Sequence, residues 1–459
     1  MSTGTLAEAA MQVDGRLIGA DRPYNAVSTD TRALERDALF VALQGPSFDG
    51  NAFVEEAARR GAAGAIVSRF QQCELTQVEV SDTRAALGRL AQAWRARFDI
   101  PVVAVTGSNG KTTVKGMLGA ILGRSGPTLA TRGNLNNEIG LPLTLLGLDS
   151  SHRAAVVEMG ANHAGEIAYL ARIAMPGIGL VTNAAAAHLE GFGSIEGVAR
   201  AKGELFAGLP ANGTAVINAD DRFSAFWREM AGSRNVVTFG LMRDADVHAD
   251  AIEQRIASSG PVMAFDLHLP DVQRRIELPL AGRHNIANAV AAAAAAWAAG
   301  AKPAAIEEGL AGIHAAPGRL QFRRSPSGAR VIDDTYNANP LSLAAALELL
   351  TGLDGRPWLV LGDMRELGAE SEALHADIGA LARRLGVERL YAVGPWSRYA
   401  AQAFGRSADW FSGVDELIAR LRPELDAGVN VLVKASRGMR LERVVDALIG
   451  DADKREGVR

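Results

Sequence analysis

Between Val102 and Thr113 the sequence reads Val-Val-Ala-Val-Thr-Gly-Ser-Asn-Gly-Lys-Thr-Thr. A β-branched apolar run stops at a Gly/Ser/Asn turn and then offers a lysine and two hydroxyls. The pattern predicts a strand that delivers a phosphate-binding loop to a sheet edge. Glycines let backbone N–H groups approach phosphate oxygens, the lysine adds a point charge, and the next helix presents its positive N-terminus. Gly107, Ser108, Asn109, Gly110, Lys111, Thr112 and Thr113 are the candidate nucleotide-binding residues, and Thr112 is placed to ligate Mg²⁺. Val105 stands where the strict Walker spacing expects a glycine, so the loop is shorter than in GTPases and ordinary kinases. A plain strand-to-helix turn could also use Thr-Gly-Ser-Asn-Gly, but turn chemistry does not call for the Lys-Thr-Thr that follows.

At 459 residues the chain exceeds what one hydrophobic core usually supports, which predicts two to three domains. Its 49 glycines and many alanines suit the tight junctions of alternating α/β folds. A net charge of −4 leaves no basic stripe, which argues against nucleic acid as a partner. The single cysteine, Cys73, excludes an internal disulfide framework and points to a reducing compartment. With no apolar leader at its start and no apolar run near 20 residues, the sequence predicts a cytoplasmic protein without a membrane span. The run Ala289 to Ala299 reads as a buried helix.

Three units are expected, bounded at 1–82, 83–316 and 317–459. In the first, β-like runs at Leu39 to Leu43 and Gly64 to Val67 flank a helical segment, Asn51 to Arg60. Ser81 to Thr83 can cap a helix carrying Leu87, Leu90, Ala91, Trp94 and Phe98 at helical spacing. The second alternates strands and helices at 102–106, 128–130, 154–158 and 178–182, a doubly wound parallel pattern. Its later β runs, Val236 to Phe239, Pro261 to Leu269 and Arg275 to Leu280, read as antiparallel. Beyond the Pro317-Gly318 break, strands at 330–332, 358–361, 390–393 and 430–433 predict a Rossmann-like sheet. None is followed by G-x-G-x-x-G, so nicotinamide or flavin chemistry is not expected.

Other candidates lie at strand ends. Glu158, in Glu158-Met159-Gly160-Ala161-Asn162-His163, can hold Mg²⁺ as a hard oxygen ligand, or equally cap the next helix. His188, after the strand ending at Thr182, can serve a metal or be structural. Lys202 sits in a helical segment and, by itself, reads as a solvated side chain.

Taken together these segments resemble the Mur ligases, ATP-dependent amide-forming enzymes that build the peptide of the bacterial cell-wall precursor. The resemblance spans nearly the whole chain and rests on Gly133 to Pro142, Glu158 to Ile167, Ala187 to Ser194, Gly282 to Ala289 and Asp333 to Pro340. It implies a small N-terminal α/β UDP-binding domain, a central P-loop-type ATPase domain and a C-terminal Rossmann-like domain. Within the family the pattern fits the member that adds D-alanyl-D-alanine to UDP-N-acetylmuramoyl-tripeptide through an acyl phosphate. The Asp-Asn-Pro-Arg-type motif of the sister ligase, which adds diaminopimelate or lysine, is absent from the last third.

By this resemblance Ser28, Thr29, Asp30, Thr31 and Arg32 contact the UDP end, with Phe40 to Leu43, Gly45 and Asp49-Gly50. Gln44 and Asn51 stand where relatives often carry a basic residue and a histidine. Asn285, Arg319 and Asp334 are implied at the nucleotide, Thr112 and Glu158 on one Mg²⁺, and His188 on a second. Lys202 corresponds to a lysine that the family carbamylates with CO₂, giving an anion able to help ligate the metal. Lys111, Lys202, His188 and Asn134 are then the catalytic candidates. Asn136, Asn137, Tyr336, Asn337 and Asn339 would line the substrate sites, although an Asn-rich turn looks alike, and Lys434 and Ser436 would support them. A monomer is expected. The competing readings are the sister ligase, a folylpolyglutamate synthetase-like protein, or a P-loop regulator without ligation chemistry.

Overall fold

The computed structural model describes residues 4–45, 48–185, 189–242, 244–257 and 260–449. Three large sheets, of five, nine and six strands, follow one another along the chain, each in its own α/β unit. In the first unit, Ala26–Ser28, Ala38–Val41, Gly64–Val67 and Gln77–Glu79 pair in parallel, and Arg16–Ile18 adds an antiparallel edge. The helix Thr83–Arg95 is capped by Asp82, whose side chain accepts from Arg84 N and Ala85 N. Its Ala86, Leu87 and Leu90 pack on Leu6, Ala9 and Val13 of the first unit. Ala91 instead joins Leu141 and Leu170 of the second, so one helix is shared by both cores.

The central sheet has nine strands. Val102–Thr106 lies between Ala154–Glu158 and Ile178–Val181, parallel to both, while Thr128–Ala130 pairs outside Ala154–Glu158. The chain therefore reverses its direction of travel across the sheet at Val102–Thr106, and such a switch point opens a crevice at the carboxyl ends of the strands. Val103, Val105, Val156 and Leu180 are fully buried there. Each contributes about 1.5–3 kcal/mol by leaving water. The helix Lys111–Gly123 buries Val114, Met117, Leu118, Ile121 and Leu122, the i, i+3, i+4, i+7, i+8 stripe of a helix seated on a sheet.

The strand Asn235–Gly240 corrects the expected antiparallel direction, because it runs parallel to Thr214–Asn218. Its neighbour in space is a parallel strand, and that neighbour sets its direction. Only the last three strands, Val247–Ala257, Gly260–Leu269 and Val272–Leu278, form an antiparallel meander. The alanine-rich segment lies in the helix Arg283–Ala298, which is buried from Ala289 to Ala296 in keeping with the expected buried helix.

The third unit has six strands. Arg330–Asp334, Val429–Lys434, Arg356–Gly362, Arg389–Val393 and Ala408–Phe411 pair in parallel, and Gln321–Arg324 closes one edge in the antiparallel sense. Among the described residues no helix is long and apolar enough to cross a membrane.

Candidate active site

The carboxyl ends of the central strands open into a cavity of about 640 Å³, which the third unit helps to line. Its floor is the predicted phosphate loop. Gly107 has φ +141° and Gly110 φ +82°, left-handed values that favour glycine. Any Cβ at Gly107 would collide with Thr182 Oγ1, and one at Gly110 with Asn288 Oδ1. The loop is laced to the next strand end. Asn109 N donates to Asn183 Oδ1 (3.0 Å), Thr182 Oγ1 donates to Asn109 O (2.6 Å), and Ser108 N donates to Asn183 O (2.9 Å).

Lys111 Nζ folds back onto the loop, donating to Gly107 O (2.6 Å) and Ser108 O (3.3 Å). Burial pushes its pKa down, the nearby Glu158 resists, and Arg319 adds to the lowering. Glu158 is the hub. Its Oε2 accepts from Thr112 Oγ1 (3.0 Å) and lies 3.3 Å from Lys115 Nζ, while its Oε1 accepts from Asn136 Nδ2 (2.8 Å). Burial by itself would raise the Glu158 carboxyl, but Lys111, Lys115, Asn136 and Thr112 outweigh it and hold it below the usual value.

These partners use about three of the four acceptor positions of a carboxylate, leaving room for one more. Among the described residues no three His, Cys, Asp or Glu side chains converge to cage a metal. Thr112 and Glu158 offer one hydroxyl and one carboxylate oxygen side by side, a donor set of the kind that suits Mg²⁺, which takes one or two protein oxygens and completes its shell with water and phosphate.

Lys202, a residue of the helix Ile195–Ala207, is buried at 2 % exposure. Its Nζ donates to Ala161 O at 3.5 Å and lies 5.4 Å from the centre of the Phe192 ring. Burial and then Lys111 bring its pKa down to about 7, against the pull of Glu166 and Glu204. Both of those acids are occupied. Glu204 accepts from Gly165 N and Ala168 N, and Glu166 from Asn162 N. The solvated lysine that the bare sequence suggested is thus a buried one facing the cavity.

The third unit reaches into the same space. Arg319 Nη2 donates to Thr112 Oγ1 (3.1 Å) and its guanidinium lies 4.2 Å from the Tyr336 ring centre. Asn339 Nδ2 donates to Asn109 Oδ1 at 2.6 Å. Asp334 pairs with Lys434, and Lys434 Nζ also donates to Asn337 O. Asn285 donates from Nδ2 to Ala281 O and accepts from Asn288.

Not every candidate gathers here. Asn134 is exposed and stands outside the cavity lining, unlike its neighbours Asn136 and Asn137. Asn137 Oδ1 accepts from Gly140 N, which fixes the start of the helix Gly140–Leu145. Ser28 to Arg32 lie on the first unit, away from the cavity lining. There Arg32 forks onto Asp30 and holds its carboxyl at about 2. Asn51 is buried, donating from Nδ2 to Asp49 and Ser68, and Gln44 reaches Asp49. His188 lies outside the described residues. Sequence reasoning passed over Lys115, Asn183, His284 and Asn288, all on the cavity wall or its ion pairs. Lys115 was accessible by spacing, four residues after Lys111 on one helical face.

Comparison with known proteins agrees with this geometry. Residues 23–95 match the "Mur ligase family, catalytic domain", 105–296 the "Mur ligase middle domain" and 318–437 the "Mur ligase, glutamate ligase domain". The UDP-N-acetylmuramoyl-tripeptide–D-alanyl-D-alanine ligase of Escherichia coli K12 is 45% identical over 450 residues, covering 98% of this chain and 99% of that one. A crystal structure of MurF from Acinetobacter baumannii superposes with a TM-score of 0.92 at 37% identity, covering 97% and 98% of the two chains. The Thermotoga maritima MurF in complex with ADP gives 0.82 at 27% identity, covering 94% and 98%. Three domain matches in chain order, with a relative 45% identical and a fold shared almost end to end, decide the family: the chain belongs to the Mur ligase family.

Proposed function

We propose that this chain joins D-alanyl-D-alanine to UDP-N-acetylmuramoyl-tripeptide, releasing ADP and phosphate. As a Mur ligase it is an ATP-dependent, amide-forming enzyme. The observation that carries the specific reading is a single cavity in which the Lys111, Thr112 and Glu158 cluster is met by Arg319 and Asn339 from the third unit, in a chain 45% identical end to end to a ligase of that name.

The tripeptide's terminal carboxylate would attack the γ-phosphorus of ATP, forming an acyl phosphate as ADP departs. Carboxylate and triphosphate repel, so the site must supply positive charge and fixed donors. Lys111, the loop N–H groups of residues 110 to 112 and Arg319 would do so. Thr112 and Glu158 would hold Mg²⁺, which would supply Lewis-acid neutralisation of the phosphate charge. The dipeptide amine then attacks the acyl carbon, the tetrahedral intermediate loses phosphate, and the amine proton passes to solvent. Contacts from the third unit to the loop exclude water from the acyl phosphate.

Lys202 fits the carbamate role. With its pKa near 7 much of the amine is neutral at physiological pH, the form that adds CO₂ by making an N–C bond and releasing a proton. The carbamate would turn a cation beside Lys111 into a metal-ligating anion. A second Mg²⁺, with His188 as a further ligand, belongs to the same proposal. So do uridine diphosphate binding by Ser28 to Arg32, domain limits at 82 and 316, and a cytoplasmic monomer.

The test is phosphate release from ATP with UDP-N-acetylmuramoyl-tripeptide plus D-alanyl-D-alanine, and in parallel with the shorter UDP-dipeptide plus diaminopimelate. Release only with the dipeptide, with a pentapeptide product, is expected. Release driven by diaminopimelate on the shorter UDP-dipeptide would move the assignment to the sister ligase, and no release would overturn ligation.

A further inference from the structure

Asn339 begins the helix Pro340–Thr351, and its two amide atoms do different work. Oδ1 accepts from Ser342 N (2.9 Å), closing a capping box in which Asn339 N donates to Ser342 Oγ (3.1 Å). The cap fixes which way the carboxamide points, because only its oxygen can accept from a backbone N–H. Nδ2 is thereby turned toward the phosphate loop, where it donates to Asn109 Oδ1 at 2.6 Å across 230 residues of sequence. That contact in turn fixes Asn109. With Oδ1 committed to Asn339, its Nδ2 is directed elsewhere, and that nitrogen is buried with no hydrogen-bond partner. The Asn109 backbone is clamped by Thr182 and Asn183, so the side chain alone can rotate.

We infer that Asn109 and Asn339 form a polarity-matched latch that couples a nucleotide phosphate in the loop to docking of the third unit. Resting on the ATP-dependent reading above, the logic is that of an amide with one donor end and one acceptor end. A phosphate oxygen accepting from Asn109 Nδ2 satisfies the orphaned donor and turns Oδ1 toward Asn339. The orientation that suits the phosphate is the one that suits the docked unit, so each event favours the other by the same factor. Asn339 is thus a positioning residue that acts through Asn109. A buried amide hydrogen without a partner is costly, which gives the latch a preference for the occupied loop.

Two variants of the full chain separate this from a merely structural role. Asn339→Ser keeps an N-cap acceptor but cannot reach Asn109. Asn339→Asp also keeps the cap, yet offers only acceptors, so Asn109 must turn Nδ2 toward it and its oxygen toward the phosphate. ADP binding is read by calorimetry, ADP-induced compaction by X-ray scattering, and kcat and KM for ATP by phosphate release. In the parent, ADP should compact the molecule. In Asn339→Ser, compaction should shrink and kcat fall about fivefold or more, with KM for ATP moving less. In Asn339→Asp, ADP affinity should fall below that of Asn339→Ser, because the coupling reverses sign. Parent-like compaction in both variants, or a parent that binds ADP without compacting, overturns the latch. A parent that binds no nucleotide overturns the functional reading instead.

Discussion

Lys434 Nζ lies 2.5 Å from Asp334 Oδ2, joining the carboxyl ends of two neighbouring strands of the third sheet. Both side chains are nearly out of water, at 3% and 11% exposure. Near them His284 of the central unit is partly buried, and desolvation brings its pKa down to about 4, so it is neutral near pH 7. Removing one partner of such a pair leaves an uncompensated charge, costing about 3–5 kcal/mol. Asp334→Asn should lower stability by that order in chemical denaturation. Adding Lys434→Met to it should recover a measurable part, and no recovery would show that the loss is not one of stranded charge.

Gly107→Ala tests the loop with one methyl group. At φ +141° and with Thr182 Oγ1 in the way, the added carbon must displace the loop or the strand end beyond it. Calorimetric titration with ADP should show binding lost or weakened at least about a hundredfold, while circular dichroism stays near that of the parent. Undiminished binding would mean that the loop yields more freely than its hydrogen bonds imply.

Lys202 gives a pH signature. Its amine titrates near 7 when folded and at the ordinary 10.5 when unfolded, so between those values the unfolded chain binds more protons and stability rises with pH. In CO₂-free buffer Lys202→Met removes this dependence, and its stability advantage over the parent should shrink as pH climbs from about 7 toward 10. The Lys202→Ala variant should fold but lose most turnover, whereas the parent should regain activity when bicarbonate is returned. Wild-type turnover in Lys202→Ala would remove the carbamate from the mechanism.

Glu158→Gln keeps the shape of the hub and deletes its charge. Lys111 and Lys115 lose their shared counter-charge, and Thr112 loses an anionic acceptor. Turnover should drop on the order of a hundredfold, and the Mg²⁺ concentration for half-maximal rate should rise about tenfold or more. An unchanged Mg²⁺ dependence would assign Glu158 to the lysines alone.

Much of this was legible because backbone chemistry and sequence coincide. The run Val102 to Thr106 could only be a buried strand before a glycine turn, and the alanine run only a buried helix. Thr214–Asn218 escaped notice because Thr-Ala-Val-Ile-Asn is too short to show a period. Strand Gln321–Arg324 lies at a sheet edge, where polar residues replace an apolar run, and Ala408–Phe411, at the opposite edge, is four residues broken by Asp409. The direction of Asn235–Gly240 is decided by its partner in space, which no local pattern encodes. In the site, single residues with fixed chemistry, such as Lys111, Thr112 and Glu158, were readable. Asn134 and Asn136 were not separable, since only the fold turns one outward and sets the other on Glu158. The burial that makes Lys202 unusual is likewise a product of packing.

Ala291 to Ala296 are all within 1% of complete burial, in the helix whose first turns carry Asn285 and Asn288 to the phosphate loop. Methyl side chains have no rotamers to lose and no slack to give. Any larger group there forces apart the sheet and the helix Lys111–Gly123. In a population of random variants, the positions with least room for change should therefore include six featureless alanines as well as the charged loop beside them. A scan ranking substitutions by residual growth would find intolerance of size in the helix and intolerance of chemistry in the loop.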